Sequence, residues 1–189
     1  MRFTWKMRVI AGSLKGRRLI SPTWSGVRPT TDRLRETLFN ILRDRVDGAN
    51  VLDGYAGTGA IGLEAISRGA ASVTFIDRDN RAVRLIQQNL ALCEVEAGAS
   101  VVVGDIPGVF SQLRPVSKFD LVILDPPYGF NALGISAILA GVSPHIADDG
   151  QIIVERGQRD LNAKPTGVAC TRRVASGDSA LEFYARTKA

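Results

Sequence analysis

The chain has 189 residues, 45% of them hydrophobic, with 24 Lys and Arg against 19 Asp and Glu. That length supports one well-buried core and is short for two, and no run approaches the roughly 18 uninterrupted apolar residues of a membrane span. Cys93 and Cys170 lie far apart, and a lone His145 completes no metal-ligand spacing with them, so no metal is expected.

The charge is uneven along the chain. Residues 1–45 carry 11 Lys and Arg against 3 Asp and Glu, net +8, whereas residues 46–189 carry 13 against 16, net −3. A basic block at one end predicts phosphate contacts, and the absence of an apolar h-region after the basic start predicts a cytoplasmic protein with no membrane partner. Within this block, Arg8 to Gly12 and Arg17 to Ile20 are β-compatible runs around a Ser13-Leu14-Lys15-Gly16 turn, which predicts a small basic hairpin. Residues 22–29 read as a loop. Thr31 or Asp32 then caps a helix bearing Leu34, Leu38, Ile41 and Leu42 on one face, with Glu36 near its start. This helix is expected to lie against a sheet and help close a ligand site. The chain thus divides into a basic extension, 1–29, and a main domain, 30–189.

From Asn50 onward apolar strands alternate with helical segments: strands near 51, 73, 100 and 119, helices near 60, 79 and 106. Ile135 to Ala147 reads as a further helix, Gln151 to Glu155 as a fifth strand, and Ala169 to Ala175 with Leu181 to Arg186 as a terminal antiparallel pair around Ser176-Gly177-Asp178. Such alternation predicts an α/β fold, a mostly parallel sheet with helices on both faces and a ligand beyond the carboxyl ends of its strands.

Each of those ends carries a chemical signal. Val51 and Leu52 lead into Asp53, Gly54, Tyr55, Ala56, Gly57, Thr58, Gly59, Ala60, Ile61 and Gly62, an apolar strand, a glycine-rich turn and a helix start. Gly57-x-Gly59-x-x-Gly62 also fits a dinucleotide fingerprint, but Asp53 at the mouth of the loop would repel a pyrophosphate and attract an ammonium, as on a methionine-like cofactor. Asp77, after Val73, Phe75 and Ile76, stands where an acid binds ribose hydroxyls. Asp105, after Val101 to Val103, stands where an adenine amine could be held, beside Ile106. These acids could instead be helix caps or turn residues, and for Asp105 alone the two readings stand level. The ordered set points to an S-adenosylmethionine site.

The fourth strand, Phe119 to Leu124, runs into Asp125-Pro126-Pro127-Tyr128. Two prolines fix φ and donate nothing, so the chain leaves the strand as a rigid ledge offering a carboxylate, a carbonyl and an aromatic ring. Asp125 and the Pro126 carbonyl can each accept one hydrogen of an exocyclic amine while Tyr128 stacks on its ring. Two acceptors localise an otherwise delocalised lone pair, so the ledge predicts amino chemistry on a nucleobase. Neither cysteine follows a proline, which disfavours methylation at cytosine C5.

With these motifs the chain resembles the class I S-adenosylmethionine-dependent methyltransferases of the Asp-Pro-Pro-Tyr group, and more narrowly the bacterial small-subunit (16S) ribosomal RNA guanine-N2 methyltransferases. The narrower resemblance rests on Arg8 to Gly12, Lys15 to Arg17, Leu19, the run Arg28 to Arg33, Arg35 to Asn40, the glycine loop, the Ser67-Arg68-Gly69-Ala70 turn and the ledge. The chain departs from that pattern in reading Gly54-Tyr55-Ala56-Gly57 where the family has Leu-Phe-Ala-Gly, and in carrying Asp77 where Glu is frequent. The resemblance implies a Rossmann-like fold with a seven-stranded sheet and a small N-terminal β-hairpin extension. It also implies methyl transfer to guanine N2 of small-subunit ribosomal RNA, on the RNA or an assembling subunit; a monomer is the expectation for the chain itself. Asp53, Tyr55, Gly57, Gly59, Asp77, Asp105 and Ile106 would then hold S-adenosylmethionine, with Thr30, Arg33 and Glu36 at the methionine end. Asp125, Pro126 and Tyr128 would be catalytic, and Arg8, Lys15, Arg17, Arg18, Arg28 and Arg35 would contact RNA. The alternatives are the same chemistry on adenine N6 or cytosine N4 of DNA, and a nicotinamide-dependent oxidoreductase built on the glycine fingerprint.

Overall fold

The structure is a computed structural model that describes residues 7–22, 24, 31–112, 118–127 and 129–187. Its elements run in the order α1 (Asp32–Leu42), β1 (Asn50–Gly54), α2 (Ala60–Ser67), β2 (Ser72–Asp77), α3 (Asn80–Leu92), β3 (Ala99–Val103), β4 (Phe119–Leu124), α4 (Ala132–Val142), β5 (Ile146–Gly157), β6 (Val168–Ser176) and β7 (Ser179–Arg186). The seven strands form one sheet, ordered β3-β2-β1-β4-β5-β7-β6. The first five are parallel, and β7 pairs antiparallel with both β5 and β6.

This order determines where a ligand can bind. From β1 the chain builds outward through β2 to β3, then returns to lay β4 and β5 on the opposite side, so the winding reverses between β1 and β4. Crossover segments leave in opposite directions there and open a crevice at the strands' carboxyl ends. Because β7 is antiparallel, the β6–β7 turn lies at that same edge, with Ser179 beside Gly157 in register.

Strand alternation sends side chains to two cores. Val51, Val73, Phe75, Leu121, Ile123, Ile153, Leu181 and Phe183 pack with α1, α2 and α3, while Leu52, Ile76, Val122, Ile152, Val154 and Tyr184 pack with α4. Each fully buried side chain of this size contributes roughly 1.5–3 kcal/mol, so both helix layers are well anchored. α1 presents Leu34, Leu38, Phe39 and Leu42 to the first core, and its N-cap is Thr31, whose Oγ1 accepts from the Leu34 N–H at 3.2 Å.

Two segments differ from the sequence expectation. The helix expected over 135–147 begins at Ala132, capped by Asn131, and stops at Val142, because Pro144 turns Ser143–His145 into a short 3₁₀ segment and Ile146 already pairs with Phe119. After Asp105 the described chain forms a 3₁₀ segment, Gly108–Gln112, in place of an α-helix. His145 stacks on Phe110 with ring centroids 4.3 Å apart.

The N-terminal pair is a single antiparallel bridge, Arg8 with Arg18, supported by backbone bonds from Val9 to Arg17 and from Leu19 to Met7. Met7, Val9 and Leu19 are buried in the first core. The intervening loop is held by α2: the Ile10 and Ala11 N–H groups donate to Glu64, and the Leu14 N–H donates to the Ser67 hydroxyl. Gly12, at φ +82°, allows this approach, since a Cβ there would stand 1.8 Å from the Ser67 carbonyl oxygen.

Candidate active site at the carboxyl edge of the sheet

The carboxyl ends of β1, β2, β4 and β5 line one cavity of about 550 Å³, a size that suits a small-molecule ligand. On its β1–β2 side the glycine loop is held open by two carboxylates. Asp53, 1% exposed, accepts the Gly62 N–H on Oδ2 at 2.8 Å. Asp77 accepts the Gly57 N–H on Oδ2 at 2.8 Å and the Asp79 N–H on Oδ1 at 2.9 Å. Gly59 caps α2 in the left-handed region at φ +75°. Burial raises the Asp53 carboxyl well above the usual carboxylate range; the Gly62 bond opposes the rise, and Asp125 and Asp77 add to it.

On the β4–β5 side the wall is made by Asp125, Pro126, Pro127, Gly129, Phe130 and Asn131, continuing through Glu155 to Gly157, Asp160 and Ser176 to Ser179. The Asp125 N–H stays on the ladder, donating to the Gly54 carbonyl at 3.4 Å, so the ledge begins directly at the strand end. Tyr55, at φ +61°, faces Phe130 with ring centroids 6.3 Å apart. Burial, with Asp105 nearby, pushes the Tyr55 phenol up to about 12, so its ring is a neutral wall at physiological pH.

The structure brings together Asp53, Tyr55, Gly57, Asp77, Asp125, Pro126 and Arg33 on this cavity. Gly59 sits behind it as the α2 cap. Asp105, Ile106 and Glu36 do not line it: Asp105 is exposed beside the Tyr55 phenol, Ile106 is buried in the second core, and Glu36 points to solvent. Arg8, Lys15, Arg17 and Arg18 are exposed, Arg17 in an ion pair with Glu94 at 3.0 Å. Thr30, Arg28 and Tyr128 lie outside the described residues.

Arg35 requires a correction. Expected as an RNA contact, it is 0% exposed, donating to the carbonyls of Arg8 and Ala60 and to Asp32, with Glu64 at 3.9 Å. A guanidinium sealed under the N-terminal loop cannot meet a phosphate. Its charge answers Glu64, which also holds Arg68 at 2.8 Å.

Several cavity residues escaped the sequence reading. Arg78, Phe130, Arg156 and Ser179 carry no motif, and Thr31 reads only as a helix cap and as part of the Arg28 to Arg33 run. Glu155 does: it ends the apolar run Ile152 to Val154 as Asp53 and Asp77 end theirs, and the same strand-end rule applied to the fifth strand would have found it. Among the described residues no group of three or more His, Cys, Asp or Glu is arranged to hold a metal ion, and no helix is long and apolar enough to cross a membrane.

Comparisons with known proteins agree with this geometry. The family model described as conserved hypothetical protein 95 matches residues 7–185. The Ribosomal RNA small subunit methyltransferase D of Escherichia coli K12 is 36% identical over 182 residues, covering 96% of this chain and 90% of that protein. The protein of the same name from Haemophilus influenzae is 39% identical over 127 residues, 67% of this chain and 66% of that one. The solved Escherichia coli yhhF structure superposes with a TM-score of 0.80 at 32% identity, covering 95% of this chain and 97% of that chain. SMU.776, solved in complex with S-adenosylhomocysteine, shares the fold at a TM-score of 0.67 and 15% identity over 82% of this chain and 50% of that one.

Proposed function

The chain belongs to the conserved hypothetical protein 95 family, and from that premise we propose that it transfers a methyl group from S-adenosylmethionine to N2 of a guanine in small-subunit ribosomal RNA. The observation that carries this reading is the single cavity shared by the buried Asp53, the Asp77 that holds the glycine loop, and the Asp125-Pro126 ledge. The relatives named Ribosomal RNA small subunit methyltransferase D supply the class of substrate.

The residues fit the cofactor. Asp53, buried and raised by that burial, suits the ammonium of the methionine portion, with Thr31 and Arg33 lining the same cavity for its carboxylate. Asp77, fixed by two backbone N–H groups, suits the ribose hydroxyls. S-adenosylmethionine supplies a methyl group on a positively charged sulfur.

The ledge does the rest. A guanine leaves its stack at a cost of a few kcal/mol, which stacking on an aromatic such as Tyr128 or Phe130, worth about 1–3 kcal/mol per base, partly offsets. Asp125 and the Pro126 carbonyl accept the two N2 hydrogens and aim the nitrogen lone pair across the cavity. As the new N–C bond forms and the methyl–sulfur bond breaks, with S-adenosylhomocysteine as the leaving group, the nitrogen becomes acidic, and Asp125 or a water takes its surplus proton. The positive charge passes from sulfur to nitrogen and leaves with that proton, so no new charge is created, and alignment and exclusion of water supply most of the acceleration without a strong base or metal. Arg8, Lys15 and Arg18, exposed on the basic loop, meet RNA phosphates. The enzyme works as a monomer in the cytoplasm, where ribosomal subunits assemble.

The test is tritiated methyl incorporation into undermethylated small subunits, naked small-subunit RNA and duplex DNA, followed by nucleoside analysis. N2-methylguanosine from RNA or subunits is the expected product. Label found only in N6-methyladenine or N4-methylcytosine of DNA would overturn the proposal.

A further inference from the structure

An amine-holding ledge accepts adenine N6 and cytosine N4 as readily as guanine N2, so something else must choose the base. We infer that the cavity lobe over the end of β5 and the β6–β7 turn reads the guanine Watson–Crick edge, with Glu155 accepting the N1–H beside the N2 amine that Asp125 holds. This rests on the function proposed above and extends it to base selection.

Leu124 pairs with Val154 in the parallel β4–β5 ladder, so Asp125 and Glu155 are the next residues in the same register on adjacent strands. Neighbouring strands lie about 4.8 Å apart. Alternation puts both carboxylates on the face of Ile123 and Ile153, in the first core. Both line the same cavity, and Glu155 is only partly buried. Ser179, 7% exposed, donates its hydroxyl to Glu155 Oε1 at 2.9 Å and so orients the carboxylate from the β7 side.

The chemistry of the bases supplies the selection. Guanine carries an N–H next to its amine-bearing carbon, whereas adenine N1 and cytosine N3 present lone pairs at the equivalent place. With both N2 hydrogens engaged by Asp125 and Pro126, the guanine N1–H needs a further acceptor, or it is buried unsatisfied. A carboxylate there accepts from guanine and repels the other two. Sites built to hydrogen-bond a donor reject analogues lacking it, because the site's own polar group is then stranded.

The test replaces the target guanine by 2-aminopurine, which keeps the N2 amine and lacks the N1–H, in RNA reassembled into small subunits. The wild-type protein should methylate guanine on the order of 10–100-fold faster than 2-aminopurine. In Glu155→Gln the amide can donate to the 2-aminopurine N1, so guanine kcat/KM should fall by at least tenfold while 2-aminopurine is held or gains, with the S-adenosylhomocysteine thermal shift unchanged. An unaltered guanine to 2-aminopurine ratio in Glu155→Gln would overturn the inference while leaving guanine-N2 transfer intact. No guanine methylation by the wild type would instead remove the function on which it rests. Should Glu155→Gln fail to fold, Ser179→Ala, which removes the hydroxyl that orients the carboxylate, must lower the same ratio or the inference falls.

Discussion

The carboxylate of Asp53 and the N–H of Gly62 meet at 2.8 Å, joining the end of β1 to the first turn of α2 across the glycine loop. This hydrogen bond keeps an acid in the interior at the cavity floor, where burial raises its pKa. For an acid, a raised pKa means that the ionised form is disfavoured in the folded, ligand-free protein. Stability of that state should therefore fall as pH rises from the ordinary Asp range, about 3.9, through the raised value. A bound ammonium favours the ionised form, so affinity for S-adenosylhomocysteine should fall as pH drops through the same window. Calorimetric titration across pH checks both slopes, and Asp53→Asn should flatten them. A wild-type affinity independent of pH throughout this window would remove Asp53 from the ammonium site.

Gly62 has a second role. A Cβ there would stand 2.2 Å from Phe75 Cε1 and 2.8 Å from Val73 Cγ1, both buried side chains of β2. Gly62→Ala should therefore destabilise the fold by about 1–3 kcal/mol, the usual cost of overpacking, even though alanine is the better helix former. Urea unfolding of the two proteins measures the difference.

Asp125 separates binding from chemistry. It borders the cavity on the acceptor side, whereas the glycine loop is held by Asp53 and Asp77. Asp125→Ala should abolish methyl transfer, by 100-fold or more, and leave S-adenosylhomocysteine affinity within about twofold. Turnover near that of the wild type would exclude the proposed role.

Two sets of basic residues near the N-terminus should behave oppositely. Arg35→Ala opens a cavity under the N-terminal loop, removes the donor from the Arg8 and Ala60 carbonyls and takes one of two guanidinium partners from Glu64, and should cost roughly 3–5 kcal/mol of stability, the range for removing one member of a buried ion pair. Replacing Arg8, Lys15 and Arg18 by Ala should leave the unfolding midpoint unchanged and weaken RNA binding, reducing the salt slope by about 0.7–0.9 for each phosphate that is no longer neutralised. Filter binding over a range of salt concentrations, beside thermal unfolding, tells the two effects apart.

Asp53, Asp77 and Asp125 could be placed from the sequence because parallel strands announce themselves as apolar runs and their ends are where side chains first meet solvent and ligand. Asp105 is less directly placed by that rule: it lies two residues past β3, beside the Tyr55 phenol, and the following 3₁₀ segment directs Ile106 into the second core. Charge alone could not separate Arg35 from its exposed neighbours, since burial depends on how the 8–18 loop closes over α2, an association of segments more than 50 residues apart. α4 was misplaced because apolar residues continue through Ile146, and only pairing with β4 shows that Ile146 belongs to the sheet. Ser179 reaches the site because β7 pairs antiparallel with β5; the turn at Ser176 to Asp178 is local, but no local pattern encodes the reversal of β7 against β5.

That reversal also sets a timetable for biosynthesis. β5 has β4 on one flank and β7 on the other, so until residue 186 has cleared the ribosome its outer flank is an unpaired edge, open to association with other chains. Ser179 is likewise absent from the acceptor wall until then. A nascent chain can assemble the glycine loop and the Asp125 ledge early, but it cannot close the pocket around a base before its final hairpin docks.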